Sequence, residues 1–175
     1  MYLTFDDGPC PETTLHLLEV LDAYGVKATF FCVGENVQRY PDLFEEIVRR
    51  GHRVGNHTMS HNQGFKCPKA EYIDKVDEAD ALIHSDLFRP PHGRIKRGQY
   101  RALAERYQIV LWDVITRDYN PRLSPQRIVR IVKHYTRNGS VIVFHDSVKA
   151  KKNTFAALPE ALAWLKGQGY KFELL

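Results

Sequence analysis

The sequence predicts an α/β domain built on a parallel sheet of about seven strands. Short β-branched and aromatic runs alternate with longer segments whose apolar residues recur at helical spacing, which is the pattern of repeated βα units. The chain has 175 residues, 43% of them hydrophobic and 26% charged, so residues 1–175 suit one domain with its own core rather than a disordered tail. Seven strands with intervening helices either close into a small or incomplete (β/α) barrel or spread into an open doubly wound sheet, and periodicity is compatible with both.

The strand runs are Tyr2 to Phe5, Ala28 to Val33, Arg53 to Asn56, Leu87 to Arg89, Ile109 to Trp112, Val141 to Phe144 and Lys171 to Leu174, each too short for an amphipathic helix. Between them, helical faces are marked by Leu17, Leu18, Leu21 and Tyr24; by Leu43, Phe44, Ile47 and Val48; by Tyr72, Ile73, Val76 and Ile83; and by Ile128, Ile131, Val132 and Tyr135. Pro11, Pro41 and Pro125 stand near helix starts, and Gly25, Gly51, Gly139 and Gly167 follow the last periodic residues, matching the entry and exit preferences of helices.

Charge and composition exclude several classes. The formal charge of +4 is spread along the chain, so nothing demands a nucleic acid partner. No stretch reaches the roughly 18 apolar residues of a membrane span. The segment Met1 to Phe5 lacks the pattern of an export signal. Cys10, Cys32 and Cys67 match no zinc-finger spacing and read as structural thiols.

Chemically capable residues collect after the C-terminal ends of the strand runs. Asp6-Asp7 follows the first, Asn56-His57 closes the third with His61 four residues on, and Arg89-Pro90-Pro91 closes the fourth. Asp113 and Asp118 follow the fifth, and His145-Asp146 closes the sixth. In parallel α/β folds that end of the sheet forms the active-site mouth. His57 and His61 at i, i+4 suit one metal ion, and a carboxylate from Asp6-Asp7 completes three ligands of an open site. A histidine such as His145 suits proton transfer to a leaving group, while Asp146 reads as a cap for the next segment of chain. His16, His52, His84 and His134 read as surface residues.

Taken together, Thr4-Phe5-Asp6-Asp7-Gly8-Pro9, Asn56-His57-Thr58-Met59-Ser60-His61, Arg89-Pro90-Pro91-His92-Gly93 and Val143-Phe144-His145-Asp146 resemble, in order and spacing, the motifs of the polysaccharide deacetylases, carbohydrate esterase family 4. The resemblance implies a distorted or incomplete (β/α) barrel and metal-dependent removal of N- or O-acetyl groups from an acetylated glycan. It makes Asp6 the general base, Arg89 the cation that orients it, His145 the general acid, and Asp7, His57 and His61 the ligands of a divalent ion. That ion is usually zinc, with cobalt, nickel and manganese as alternatives. The main-chain N–H of His92 would stabilise the oxyanion, and Val143 would line the acetyl pocket.

The chain departs from the family pattern at two places. His92 replaces a tyrosine, and Ile115-Thr116-Arg117-Asp118-Tyr119 keeps the second acid and an aromatic of the fourth motif but loses the first acid. Asp118 is then the candidate to position His145, and Tyr119 the candidate for a sugar-facing wall. Other linear or cyclic amides, or glycan binding without chemistry, are the alternative readings. Peptidoglycan, chitin oligomers and xylan remain open as substrates, with the loops Gln63 to Pro68 and Lys149 to Asn153 placed to choose among them. The cluster Lys149, Lys151 and Lys152 reads as a solvated basic loop. Relatives often act outside the cytoplasm, so localisation is left open, and no pattern in the sequence speaks to oligomeric state.

Overall fold

The computed structural model describes all of residues 1–175. Its seven strands are β1 (Tyr2–Asp6), β2 (Thr29–Cys32), β3 (Arg53–Asn56), β4 (Leu87–Phe88), β5 (Gln108–Ile109), β6 (Val114–Ile115) and β7 (Val141–His145). The helices are α1 (Thr14–Ala23), α2 (Gly34–Arg39), α3 (Pro41–Arg49), α4 (Lys69–Ile83), α5 (Arg97–Leu103), α6 (Pro125–Tyr135) and α7 (Lys151–Gly167). All paired strands are parallel, in the order β5-β4-β3-β2-β1-β7-β6.

The edge strands β5 and β6 are not hydrogen-bonded to each other, yet only residues 110–113 separate them. A flat sheet would hold its outer strands about 29 Å apart, six spacings of roughly 4.8 Å. Four linking residues span at most about 18 Å. The sheet must therefore curl, and the result is an incomplete barrel with its opening between β5 and β6.

The strand alternation sorts the core into two sides. Outward-facing Leu3, Phe5, Phe30, Ile142 and Phe144 form one cluster with Leu17, Leu18 and Leu21 of α1, Ile128 and Val132 of α6, and Leu158 and Leu162 of α7. Inside the barrel, Phe31, Leu87 and Val110 pack together with Leu175. Pro41 and Pro125 occupy first-turn positions, and Ser124 Oγ accepts from the Arg127 N–H.

Several expectations need correction. The run Ile109 to Trp112 is not one strand: β5 ends at Ile109, and β6 begins at Val114 after Trp112 has left the sheet. Lys171 to Leu174 is not a strand either, because β1 is already flanked by β2 and β7. Only its first residues, below the start of β2 pairing at Thr4, leave an open edge, and there Glu173 makes a single bridge to Tyr2. The count of seven thus survives with different members. The left-handed residue after α7 is Gly169, not Gly167. Val48 and Tyr135, assigned to packed faces, are exposed. His52 is buried, its Nδ1 accepting from the Ala28 N–H at 3.1 Å, and burial foremost lowers its pKa to about 4.

Candidate active site

Parallel register brings the site together. Asp6 and His145 are the last residues of β1 and β7 and are register partners, so they stand side by side at the C-terminal mouth. Between the loops beyond these strand ends lies a cleft of about 550 Å³, within the range of ligand sites, lined by Asp6, Asp7, His57, His61, His145 and Tyr119 among others.

Asp6 is nearly fully buried and accepts from Arg89 at 2.6 Å. Arg89 is completely buried: it also donates to Thr4 Oγ1 at 2.8 Å and to the carbonyls of Val110 and Leu111 at 3.2 and 3.3 Å. Those carbonyls belong to the segment crossing the barrel opening, so one guanidinium both seals the gap and fixes the carboxylate. Its flat face lies 4.0 Å from the centre of the Phe31 ring. Phe31 has room only because residue 55 is glycine, where a Cβ would come within 2.6 Å of that ring. Burial alone would raise the Asp6 pKa, but the Arg89 charge and hydrogen bond, with the nearby imidazoles, outweigh it and hold the carboxyl below its usual range.

Asp7, His57 and His61 place one carboxylate oxygen and two imidazole nitrogens within 4.8 Å of one another. Both Nε2 atoms face Asp7 Oδ1, at 3.7 Å from His57 and 3.3 Å from His61. Ligand atoms sharing a zinc-like ion stand roughly 3 Å apart or slightly more, so the donor set and spacing fit a divalent cation. His57 Nδ1 is engaged by the Arg89 carbonyl at 2.7 Å, which fixes the tautomer and leaves Nε2 as the free donor atom. Burial, the largest influence, lowers the His57 pKa to about 4, keeping the ring neutral as a ligand must be.

His145 is held by Asp118, and this resolves the altered fourth motif. Asp118 Oδ1 lies 2.7 Å from His145 Nδ1, and Oδ2 accepts the His145 backbone N–H at 2.8 Å and the Thr154 hydroxyl at 2.6 Å. Asn153 Nδ2 donates to the Asp118 carbonyl. Burial alone would lower the His145 pKa, yet the Asp118 hydrogen bond and charge raise it to about 9. Tyr119 meets the same ring edge-on at 4.8 Å. Asp113 instead caps β7 from outside the cleft, accepting from Ser140 Oγ and the Val141 N–H.

Other placements differ from expectation. Val143 is fully buried and does not line the cleft: it faces inward one pleat below His145, and its register partner Ile115 forms the wall instead. Asp146 is not a cap for the segment after it. Its carboxylate accepts from the hydroxyls of Thr13 and Thr14 and its N–H donates to the Asp6 carbonyl, while burial pushes its pKa up to about 7. Gly8 is required there, since a Cβ would collide with that carboxylate. The His92 ring lines the cleft, 4.8 Å from the His61 ring and 3.0 Å from Gln63, and its N–H has no acceptor within the chain.

Sequence reading missed Thr154, Trp112, Ile115 and Arg94, and placed Asn153 and Gln63 only within loops that choose among substrates. A signal existed for Thr154 and Asn153, because both are polar on a helix face that continues as Ala157, Leu158, Ala161 and Leu162. Backbone strain in the structure also marks the site. Five of the six non-glycine residues at positive φ, Asp7, Thr58, His61, His92 and Arg117, at 79, 67, 53, 59 and 56°, lie in or beside the site, and the sixth, His84, ends α4.

Residues 1–111 match the model of a protein family described as Polysaccharide deacetylase. A peptidoglycan-N-acetylglucosamine deacetylase of Bacillus cereus is 36% identical over 179 residues, covering 97% of this chain and 83% of that protein. A chitooligosaccharide deacetylase of Bradyrhizobium is 37% identical over 154 residues, covering 83% and 70%. Among solved structures, the Bc1960 peptidoglycan N-acetylglucosamine deacetylase, in complex with a substituted N-oxidanyl-benzamide, superposes with a TM-score of 0.95 at 32% identity, covering 99% of this chain and 85% of that one.

Proposed function

The chain belongs to the polysaccharide deacetylase family, and from that premise we propose that it is a metal-dependent hydrolase removing N-acetyl or O-acetyl groups from a glycan. One observation carries the reading: Asp6 and His145 are register partners flanking the Asp7, His57 and His61 cluster in a single cleft. An ionised base and a protonated acid on adjacent strands are what amide hydrolysis needs.

Asp7, His57 and His61 would hold the divalent ion, zinc by the donor set, with cobalt, nickel or manganese also suited to it. Bound there, it would supply Lewis acidity toward the acetyl carbonyl and the attacking water. Asp6 takes the proton from that water, and Arg89 holds the carboxylate ionised and aimed. His145, positively charged up to about pH 9, gives its proton to the departing nitrogen or oxygen while Asp118 holds its far side. The unpaired N–H of His92 donates to the oxygen that becomes negative. Ile115 and Tyr119 bound the space around the acetyl-bearing sugar.

The test is acetate release from N-acetylglucosamine oligomers and peptidoglycan, with and without chelator. Release should stop with chelator and return with zinc, and Asp6→Asn should lower it by about 10³-fold. Undiminished release by Asp6→Asn and by the chelated protein would overturn the assignment.

A further inference from the structure

The carboxylates of the cleft already have partners: Asp6 bonds Arg89, Asp118 bonds His145, and Asp7 faces two imidazoles. Two cations at its rim, Arg94 and Lys149, have none. Lys149 makes no ion pair, and its ammonium lies 5.5 Å from the centre of the Tyr119 ring.

The cleft continues past this residue. Lys149 also lines an adjoining trough of about 410 Å³ with Arg122, Lys152 and Asn153, and Lys152 lines in turn a hollow beside Val148 and Phe155. No carboxylate lines either depression. Arg122, Lys149 and Lys152 are exposed and form no salt bridge, as is true of most surface cations of this chain; what sets them apart is their place along depressions that continue from the cleft. Lys151 is set apart because the Glu12 carboxylate lies within reach of its charge.

Two of the three cations also sit where the fold disfavours them. Lys149 and Lys152 flank the start of α7, whose first turn holds no acidic residue, so they add to the helix's own positive end.

We propose that Lys149, Lys152 and Arg122 form an anion-reading extension of the cleft that selects acetylated glycans bearing carboxylates on the sugars next to the one deacetylated. This rests on the deacetylase reading above and replaces the solvated basic loop expected from sequence. A sugar whose acetyl group lies between Asp6 and His145 places its neighbour along the Tyr119 and Lys149 wall, and the next unit over the trough.

The experiment compares kcat/KM for acetate release from lactyl-carboxylate glycan oligomers with the same oligomers after amidation of the carboxylates. The wild-type protein should prefer the charged form by about tenfold at low salt, the product of a few modest exposed contacts, and the preference should shrink as salt screens them. Lys149→Glu with Lys152→Glu should abolish or invert it, and should raise the melting temperature, since acids suit a helix start. Equal turnover of both forms by the wild type, or a preference that survives in the double variant, overturns the proposal. If neither form is hydrolysed, the deacetylase reading fails by itself. Fluorescence anisotropy of labelled oligomers then decides the trough: salt-sensitive binding of the charged form, lost in the double variant, upholds it, and equal binding of both forms overturns it.

Discussion

Asp6 with Arg89 and Asp118 with His145 are both buried carboxylate–cation pairs, closed at 2.6 and 2.7 Å, and they stand on neighbouring parts of one mouth. They differ in which partner is turned toward the cleft. In the first, Arg89 is wholly enclosed and the carboxylate lines the cavity; in the second, Asp118 is wholly enclosed and the imidazole lines it. Each hidden partner drives the visible one into its charged state, so Asp6 is ionised and His145 protonated over the same range of pH. On the proposed reading, the same pairing, turned around, makes a base site and an acid site.

The two pairs also fail at opposite ends of the pH scale. Asp6 has a folded-state pKa below its ordinary 3.8, so its contribution to stability is present above about pH 4 and is lost as pH falls through the lower value. His145 is raised from 6.5 to about 9, so its contribution is full below about 6.5 and is lost as pH rises through about 9.

The harshest way to break this symmetry is Arg89→Met. It strips the cation from a buried carboxylate and orphans the carbonyls of Val110 and Leu111 across the barrel opening. Loss of one partner of a buried pair costs about 3–5 kcal/mol, measurable by urea unfolding. With burial opposed only by the nearby imidazoles, the acid limb of kcat/KM should move up, while the alkaline limb stays near 9. Movement of both limbs together would show that the pairs are one coupled unit.

Asp118→Asn attacks the other pair with less damage to the fold, since an amide still fills the space. Burial of His145 remains and the Asp118 carboxylate, the largest influence opposing it, is gone, leaving only the Asp7 and Asp6 charges, so its pKa should drop well below about 9. The alkaline limb should follow it down, and at pH 8 activity should fall by about 10²-fold, within the usual worth of acid–base catalysis. An alkaline limb left near 9 would mean that Asp118 does not set the protonation of His145.

How far these pairs could be read from sequence depends on the local pattern around each partner. Asp6, Asp7, His57, His61, Arg89 and His145 end or follow recognisable strand runs, and parallel topology gathers strand ends at one mouth. Asp118 was harder, because β6 has only two residues and so carries no period, while the apolar run ending at Trp112 suggested a strand in its place. Val143 was misplaced for a related reason: alternation gives the side of the sheet but not the depth at which a wall residue meets the cleft, and Ile115 on the neighbouring strand is the one exposed there. The open edge at Glu173 depends on which strands flank β1, which no local pattern encodes.

The finest distinction is between holding Asp118 in place and sharing its charge, and Thr154→Val separates them. The hydroxyl donates to Oδ2 at 2.6 Å, and valine keeps the shape while removing the donor. One buried hydrogen bond lost should cost about 1 kcal/mol of stability. A carboxylate with fewer donors keeps more of its negative charge, so its pull on the His145 proton should strengthen and the alkaline limb should rise by roughly a few tenths of a pH unit. That shift is opposite in sign to the one expected from Asp118→Asn, although both substitutions act on the same pair. If the limb falls instead, the carboxylate has swung away from Nδ1, and the hydroxyl serves to aim Asp118 at His145 rather than to moderate its charge.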